Sequence, residues 1–105
     1  MKLRLGLSEK TIERICSVLS SYSAVQKAFV YGSRAKGNFR EGSDIDIAIS
    51  GDIDAKILGD IAEDLDELLL PYTIDLLVCE TLKNDKLRKH IDRVGKLLYE
   101  KDTSE

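Results

Sequence analysis

The sequence predicts a small α/β domain: a mixed sheet of three to four strands with helices packed mainly on one face. Its 105 residues suit one domain of ordinary size. Three segments carry apolar residues at helical spacing, and three short β-branched runs lie between them. We therefore expect residues 1–105 to form a single domain, with a flexible tail at 100–105.

The composition excludes several classes of protein. A hydrophobic content of 43% is enough for one core, and a net charge of −3 argues against a general nucleic-acid binder. No apolar run approaches the roughly 18 residues of a membrane helix. No signal-peptide pattern is visible, so a cytoplasmic location is expected. Cys16 and Cys79 lack metal-binding spacing and are predicted to be free thiols in a reducing compartment.

The first half of the chain predicts a helix, a strand and a short helix in that order. Residues 8–22 have an apolar stripe at helical spacing and begin at Ser8, a residue type that caps helices. Residues 27–31 are short, β-branched and aromatic, which predicts a strand that Gly32 ends. The stretch 33–36 predicts a short helix before a polar loop.

The second half continues this alternation. Residues 44–49 alternate as a strand does, and 54–70 have a helical stripe with Pro71 just beyond the end. Residues 73–78 predict a third strand. A third helical stripe runs over 81–98, with mostly basic residues facing outward.

Two acids on one strand are the first sign of function. Asp44 and Asp46 are two residues apart, so their side chains face the same way at about 7 Å between Cα atoms. Like charges so close raise each other's pKa and disfavour folding unless a cation lies between them. Carboxylate oxygens suit Mg²⁺ or Mn²⁺. The alternative is a pair of edge-strand charges that discourage aggregation.

A third acid has a matching position in the third predicted strand. Asp75 is flanked by Ile74 and Leu76 in an otherwise core-like run. If the strands 44–49 and 73–78 are neighbours, Asp75 can face the same side as the other two acids. Three carboxylates can hold two metal ions, which clamp the attacking and leaving oxygens of a phosphoryl displacement.

The stretch before these acids predicts a phosphate site. Gly32 and Ser33 follow a strand and open a helix, where free backbone N–H groups attract anions. Gly32 allows a phosphate to approach the backbone, and the Ser33 hydroxyl adds a donor. Arg34, Lys36 and Arg40 add positive charge. The P-loop spacing is absent, so this is a different kind of phosphate site.

The combination GSRAKG, then SDIDIAI, then IDLL resembles the minimal nucleotidyltransferases of the DNA polymerase β superfamily. The resemblance implies the nucleotidyltransferase fold and a role for each matched residue. Asp44 and Asp46 would bind two Mg²⁺ ions, with Mn²⁺ as a substitute. Asp75 would bind the catalytic ion and help deprotonate the attacking hydroxyl. Gly32 and Ser33 would hold the β and γ phosphates.

The resemblance also implies a reaction and a partner. A nucleoside monophosphate, AMP if the substrate is ATP, would pass from the NTP to a hydroxyl, with release of pyrophosphate. Arg34 and Lys36 would assist nucleotide binding, although many relatives have Arg where this chain has Lys36. Larger relatives carry an acceptor-binding domain, so here a partner chain or a second copy would hold the acceptor. Stand-alone prokaryotic relatives pair with a small helical HEPN toxin, and the implied role is an antitoxin that adenylylates a tyrosine of that toxin.

Two other functions remain open at this point. One is transfer to a small-molecule hydroxyl, as in aminoglycoside-modifying relatives. The other is neutralisation of the partner by binding alone, with a vestigial nucleotide site. His90, the single histidine, lies on the polar side of its predicted helix and is expected to be a surface residue. Tyr31 is expected to be a partly buried core or rim residue.

Overall fold

The computed structural model describes residues 7–32 and 44–101. The predicted short helix, together with Ser33, Arg34, Lys36 and Arg40, lies outside the described residues, and so does most of the predicted tail. In chain order the described elements are α1 (Glu9–Ser20), β1 (Val25–Tyr31), β2 (Ile45–Gly51), α2 (Ala55–Asp66), β3 (Ile74–Val78), a 3-10 turn (Cys79–Thr81), α3 (Asp85–Val94) and β4 (Lys96–Glu100).

Each described helix begins at a capping side chain. The Ser8 hydroxyl accepts the backbone N–H of Thr11, as its position in the sequence predicts. The Asp54 carboxylate accepts the N–H of Ile57 at 2.8 Å. Asn84 starts α3 by accepting two backbone N–H groups. These caps satisfy donors that the first turn of a helix leaves without partners.

The four strands form one mixed sheet in the order β3-β2-β1-β4. β1 is antiparallel to both of its neighbours, β2 and β4, whereas β2 and β3 are parallel. The predicted α/β class and mixed sheet are confirmed. β3 and β4 are the two edges within the described part of the chain, so the carboxylate-bearing strands lie together toward one edge.

The core lies on one face of this sheet. Ile45, Ile47 and Ile49 alternate along β2, and all three are fully buried. They pack in one cluster with apolar residues from α1 and α2, namely Ile15, Leu19, Ile61 and Leu65. Burial of each such side chain contributes about 1.5–3 kcal/mol, so this cluster is the main source of stability.

α3 lies against the opposite face. It contacts β1, where the ring of His90 meets the ring of Tyr31. Tyr31 pairs with Asp46 across the antiparallel strands, which places both side chains on this second face. Helices therefore pack mainly on one face, as predicted, and the second face is covered only in part.

The prediction of one helix over 81–98 is wrong at both ends. The first residues form a 3-10 turn and a connection, the helix spans Asp85–Val94, and Lys96–Glu100 form β4. Leu98 fits the helical stripe, but it is also buried as a strand residue while its neighbour Leu97 is 46% exposed. Antiparallel pairing with the edge of β1 gives this segment backbone hydrogen bonds, which outweigh the local helical pattern.

Candidate active site

The two central acids lie side by side. Asp46 of β2 and Asp75 of β3 are register partners in the parallel pair, so their side chains stand on the same face of adjacent strands. The charge of Asp75 acts on the carboxyl group of Asp46 across the two strands. The expectation that the two strands are neighbours, and that Asp75 faces the same side as Asp46, is confirmed.

The third acid stands at the end of the same strand. Asp44 is exposed and immediately precedes β2. The backbone N–H of Ile45 donates to the carbonyl of Thr73 at 2.8 Å, which ties the start of β2 to the start of β3. Asp44 is therefore held near the amino ends of both carboxylate-bearing strands.

The three acids concentrate negative charge. Partial burial, the charges of Asp75 and Asp44, and the hydrogen bond with Asp75 together raise the pKa of Asp46 above its ordinary value. Burial comes first among these causes. All of them disfavour the ionised form, so this carboxylate gains from any cation that approaches it.

Gly32 lies directly against this cluster. Its backbone has φ of +77°, a conformation that residues with a side chain rarely adopt. A Cβ at this position would also collide with the Oδ2 atom of Asp46. The backbone that follows β1 can therefore approach the carboxylates only because residue 32 is glycine. The predicted phosphate segment thus begins beside the predicted metal residues.

Two residues on this face were not predicted as part of the site. Burial and the charges of Asp46 and Asp75 raise the pKa of Tyr31 to about 12. Its ring meets that of His90 edge to face, with centroids 6.4 Å apart and an interplanar angle of 82°. The position of Tyr31 directly before Gly32 could have indicated from the sequence that Tyr31 lies at the site. Nothing in the sequence around His90 indicates the same, because only the packing of α3 on β1 brings it here.

The donor set fits a hard divalent cation. Asp44, Asp46 and Asp75 offer only carboxylate oxygens, which Mg²⁺ prefers. Burial and the charges of the two neighbouring acids raise the pKa of Asp46, so a bound cation would stabilise its ionised form. Within residues 7–32 and 44–101, no three acidic, histidine or cysteine side chains converge around one point as a complete metal site. The described residues bring Asp46 and Asp75 into contact and place Asp44 beside them.

The remaining predicted site residues cannot be placed in this geometry. Ser33, Arg34 and Lys36 lie outside the described residues, so their predicted contacts with phosphate stay predictions. None of the helices in the described ranges is long and apolar enough to cross a membrane.

Comparison with known proteins identifies relatives over nearly the whole chain. Residues 13–104 match the family model described as polymerase beta, nucleotidyltransferase. The sequence is 32% identical over 100 residues to a candidate protein adenylyltransferase of Methanocaldococcus jannaschii, covering 87% of this chain and 97% of the relative.

Solved structures share the fold. A chain from a toxin–antitoxin complex with AMP-PNP superposes with a TM-score of 0.69 at 23% identity, covering 91% of this chain and 76% of that chain. A chain from the complex of tri-AMPylated Shewanella oneidensis HEPN toxin with MNT antitoxin gives a TM-score of 0.69 at 20% identity, covering 90% and 74%. At these identities the likeness establishes the fold.

Proposed function

The chain belongs to the polymerase beta nucleotidyltransferase family, and from this premise we propose that it transfers AMP from ATP to a protein hydroxyl. The observation that carries the proposal is the pairing of Asp46 with Asp75 on adjacent parallel strands, with the Gly32 backbone directly against Asp46. The acids proposed for the reacting centre therefore lie at one end of the sheet, next to a glycine whose backbone a phosphate can approach closely.

The proposed reaction is an in-line displacement at the α-phosphorus. The acceptor hydroxyl oxygen forms a bond to this phosphorus, the bond to the bridging oxygen breaks, and pyrophosphate leaves. A carboxylate oxygen of Asp75 accepts the proton of the attacking hydroxyl. The backbone of Gly32, together with Ser33, Arg34 and Lys36, binds the leaving phosphates.

Metal ions would be held by the three acids. Asp44, Asp46 and Asp75 are the residues that would bind two Mg²⁺ ions, or Mn²⁺ in their place. When bound, such ions neutralise the negative charge that develops on the phosphate oxygens.

We propose a protein as the acceptor, namely a tyrosine of a small helical HEPN-type partner met in the cytoplasm. The M. jannaschii relative carries protein adenylyltransferase in its name, and the Shewanella complex joins an MNT antitoxin to an AMPylated HEPN toxin. Modification of the partner would make this chain an antitoxin. These relatives support the proposal, and the carboxylate pair supports a catalytic rather than a purely binding role.

The test is label transfer. The full chain is incubated with ATP labelled at the α-phosphate and Mg²⁺, with and without the protein that co-purifies with it, and labelled species are separated by mass. We expect label on the partner with the unchanged chain and with Asp52→Asn, an exposed acid in the turn after β2. We expect none with Asp46→Asn.

Two other results would contradict the proposal. A tight complex that carries no label with any NTP would mean neutralisation by binding alone. Label that appears only on an added small hydroxyl compound, such as an aminoglycoside, would mean a small-molecule transferase.

A further inference from the structure

α3 crosses the face of the sheet that carries the candidate active site. The helix follows the 3-10 turn (Cys79–Thr81) after β3, and it leads into β4, whose first residue pairs with Val30 of β1. Val30 lies two residues before Gly32. α3 therefore runs from the carboxyl end of β3, away from Asp75, toward the end of β1 where the predicted phosphate segment begins.

One flank of α3 is tied to the carboxyl end of β3. The guanidinium of Arg88 donates to the backbone carbonyls of Cys79 and Leu82, both at 3.0 Å. Asp92, one helical turn after Arg88, lies on the same flank, and its charge acts on the Cys79 thiol. This flank therefore carries both signs of charge and faces the end of the sheet that lies away from the carboxylates of the candidate site.

The opposite flank of α3 faces the candidate site and carries two cations. His90 marks this flank, because its ring meets that of Tyr31. Lys86 lies one helical turn before His90 and Arg93 one turn after it, so the three side chains share one side of the helix. Lys86 is also two residues before Arg88, about 200° around the helix, which places these two cations on opposite flanks.

The two cations of this flank have no ion-pair partner in the part of the chain that the structure describes. Within residues 7–32 and 44–101, the ion pairs join β1 to β4 and two side chains of α2. Lys86 and Arg93 are both exposed, and neither pairs with the carboxylates that their flank faces. An anion that enters between this flank and the sheet therefore meets free positive charge.

The proposed reaction brings one such anion to this end of the sheet. The leaving phosphates of the NTP are expected at Gly32, which directly follows Tyr31, the residue that α3 contacts through His90. Nucleic acid fits this flank less well, because a net charge of −3 disfavours a general nucleic-acid binder. The triphosphate is the anion that matches both the position and the charge of the flank.

We propose that Lys86 and Arg93 bind the phosphates that leave as pyrophosphate, from the α3 side of the site. The inference rests on the proposed function and adds to it two nucleotide-binding residues that no sequence motif indicates. The guanidinium of Arg93 can donate two hydrogen bonds to one phosphate, whereas Lys86 acts as a point charge. Both cations stabilise the negative charge that pyrophosphate gains as it leaves.

A binding titration that needs no catalysis tests this assignment in the full chain. Calorimetry measures the affinities for AMP-PNP and for AMP, each with Mg²⁺, in the unchanged chain and in the double variant Lys86→Gln, Arg93→Gln. Glutamine is a strong helix former, so α3 should be retained. We expect the double variant to bind AMP-PNP at least about tenfold more weakly, and AMP less than about threefold more weakly.

The matched control is the double variant Lys10→Gln, Lys56→Gln. It removes the same charge from exposed positions of α1 and α2, which pack on the other face of the sheet. Both affinities should be unchanged in this control. Arg93→Lys keeps the charge but loses the bidentate geometry, so it should weaken AMP-PNP binding less than Arg93→Gln does.

An unchanged AMP-PNP affinity in the first double variant would overturn the inference, and so would an equal loss in the control. An equal loss for AMP would show that the flank does not bind the leaving phosphates. A raised KM for the acceptor protein with normal AMP-PNP affinity would instead assign the flank to an acidic protein surface.

The outcomes also separate this inference from the proposed function. If the unchanged chain binds AMP-PNP and loses this affinity in the double variant, Lys86 and Arg93 are nucleotide-binding residues even when no label reaches any protein. The proposed function alone then fails. If the unchanged chain binds no AMP-PNP up to millimolar concentration, the inference is overturned, whatever the result of label transfer.

Discussion

The two faces of β2 differ in almost every physical property, although alternate residues of one short strand form them. Ile45, Ile47 and Ile49 are fully buried against α1 and α2. On the other face, Asp46 is only partly buried and meets a second acid, Asp75, on the neighbouring strand. Burial of the isoleucines stabilises the folded state, whereas repulsion between the carboxylates on the other face destabilises it.

This difference shows how a chain of about 100 residues can carry a charged site. Burial of the apolar face offsets the repulsion among the carboxylates on the other face. The two sets of side chains point to opposite sides of the sheet and have different neighbours. Substitutions on the two faces should therefore have separable effects on stability and on transfer. The following predictions would break or sharpen this separation.

The largest effect is expected on the apolar face. Ile47→Ala should lower the free energy of unfolding by about 3 kcal/mol, because it removes buried methyl groups and leaves a cavity. Leu97→Ala is the control at a position that is 46% exposed, and should cost less than about 1 kcal/mol. Urea denaturation measures both. Equal losses of unfolding free energy in the two variants would mean that Ile47 does not belong to a buried core.

On the charged face, Asp75→Asn should reduce the rate of AMP transfer at least about a hundredfold, because the amide cannot accept the hydroxyl proton. The fold should be retained, since Asp75 is exposed. Initial rates of label transfer and thermal melting measure the two effects, with Asp52→Asn as the unaffected control. A full transfer rate would remove Asp75 from the proposed mechanism.

A smaller effect is expected where the backbone meets the carboxylates. Gly32→Ala should lower the free energy of unfolding by about 1–2 kcal/mol, because its φ of +77° suits glycine and a Cβ would collide with Asp46. Gly59→Ala is the matched control within α2, where a Cβ meets nothing within 4 Å. That control should instead stabilise by about 0.5–1 kcal/mol. If urea denaturation shows a loss of stability for Gly32→Ala and a gain for Gly59→Ala, the close approach of the Gly32 backbone to Asp46 is confirmed.

The smallest effect is a gain in stability. Asp46→Asn should raise the free energy of unfolding near pH 7, because it removes the repulsion between this carboxylate and its acidic neighbours. The gain should be only about 1 kcal/mol, because solvent screens part of that repulsion. An acid whose pKa is raised by folding binds protons more tightly in the folded state, so its ionisation lowers stability as pH rises.

The advantage of Asp46→Asn should therefore shrink as pH falls toward 3.8, the ordinary pKa of aspartate. Urea denaturation of both proteins across this range measures the difference. A gain that stays constant with pH would show that charge repulsion at Asp46 is not its cause.

The sequence by itself determined the local features of this protein. Alternation along 44–49 fixed which residues face the core, because side chains of a strand point to opposite faces. Ser8 fixed the start of the first helix through its own side chain. The residues at 32, 44, 46 and 75 were all found as site candidates from their residue types and spacing.

Only the tertiary structure decided which distant segments meet. The parallel pairing of β2 with β3 brought Asp75 to Asp46, and the folding of α3 onto β1 brought His90 to Tyr31. The same kind of long-range pairing placed 96–98, the end of the helix predicted over 81–98, in the strand Lys96–Glu100. Local periodicity cannot report these contacts, because the hydrogen bonds and buried surface that favour them come from residues far away in the chain.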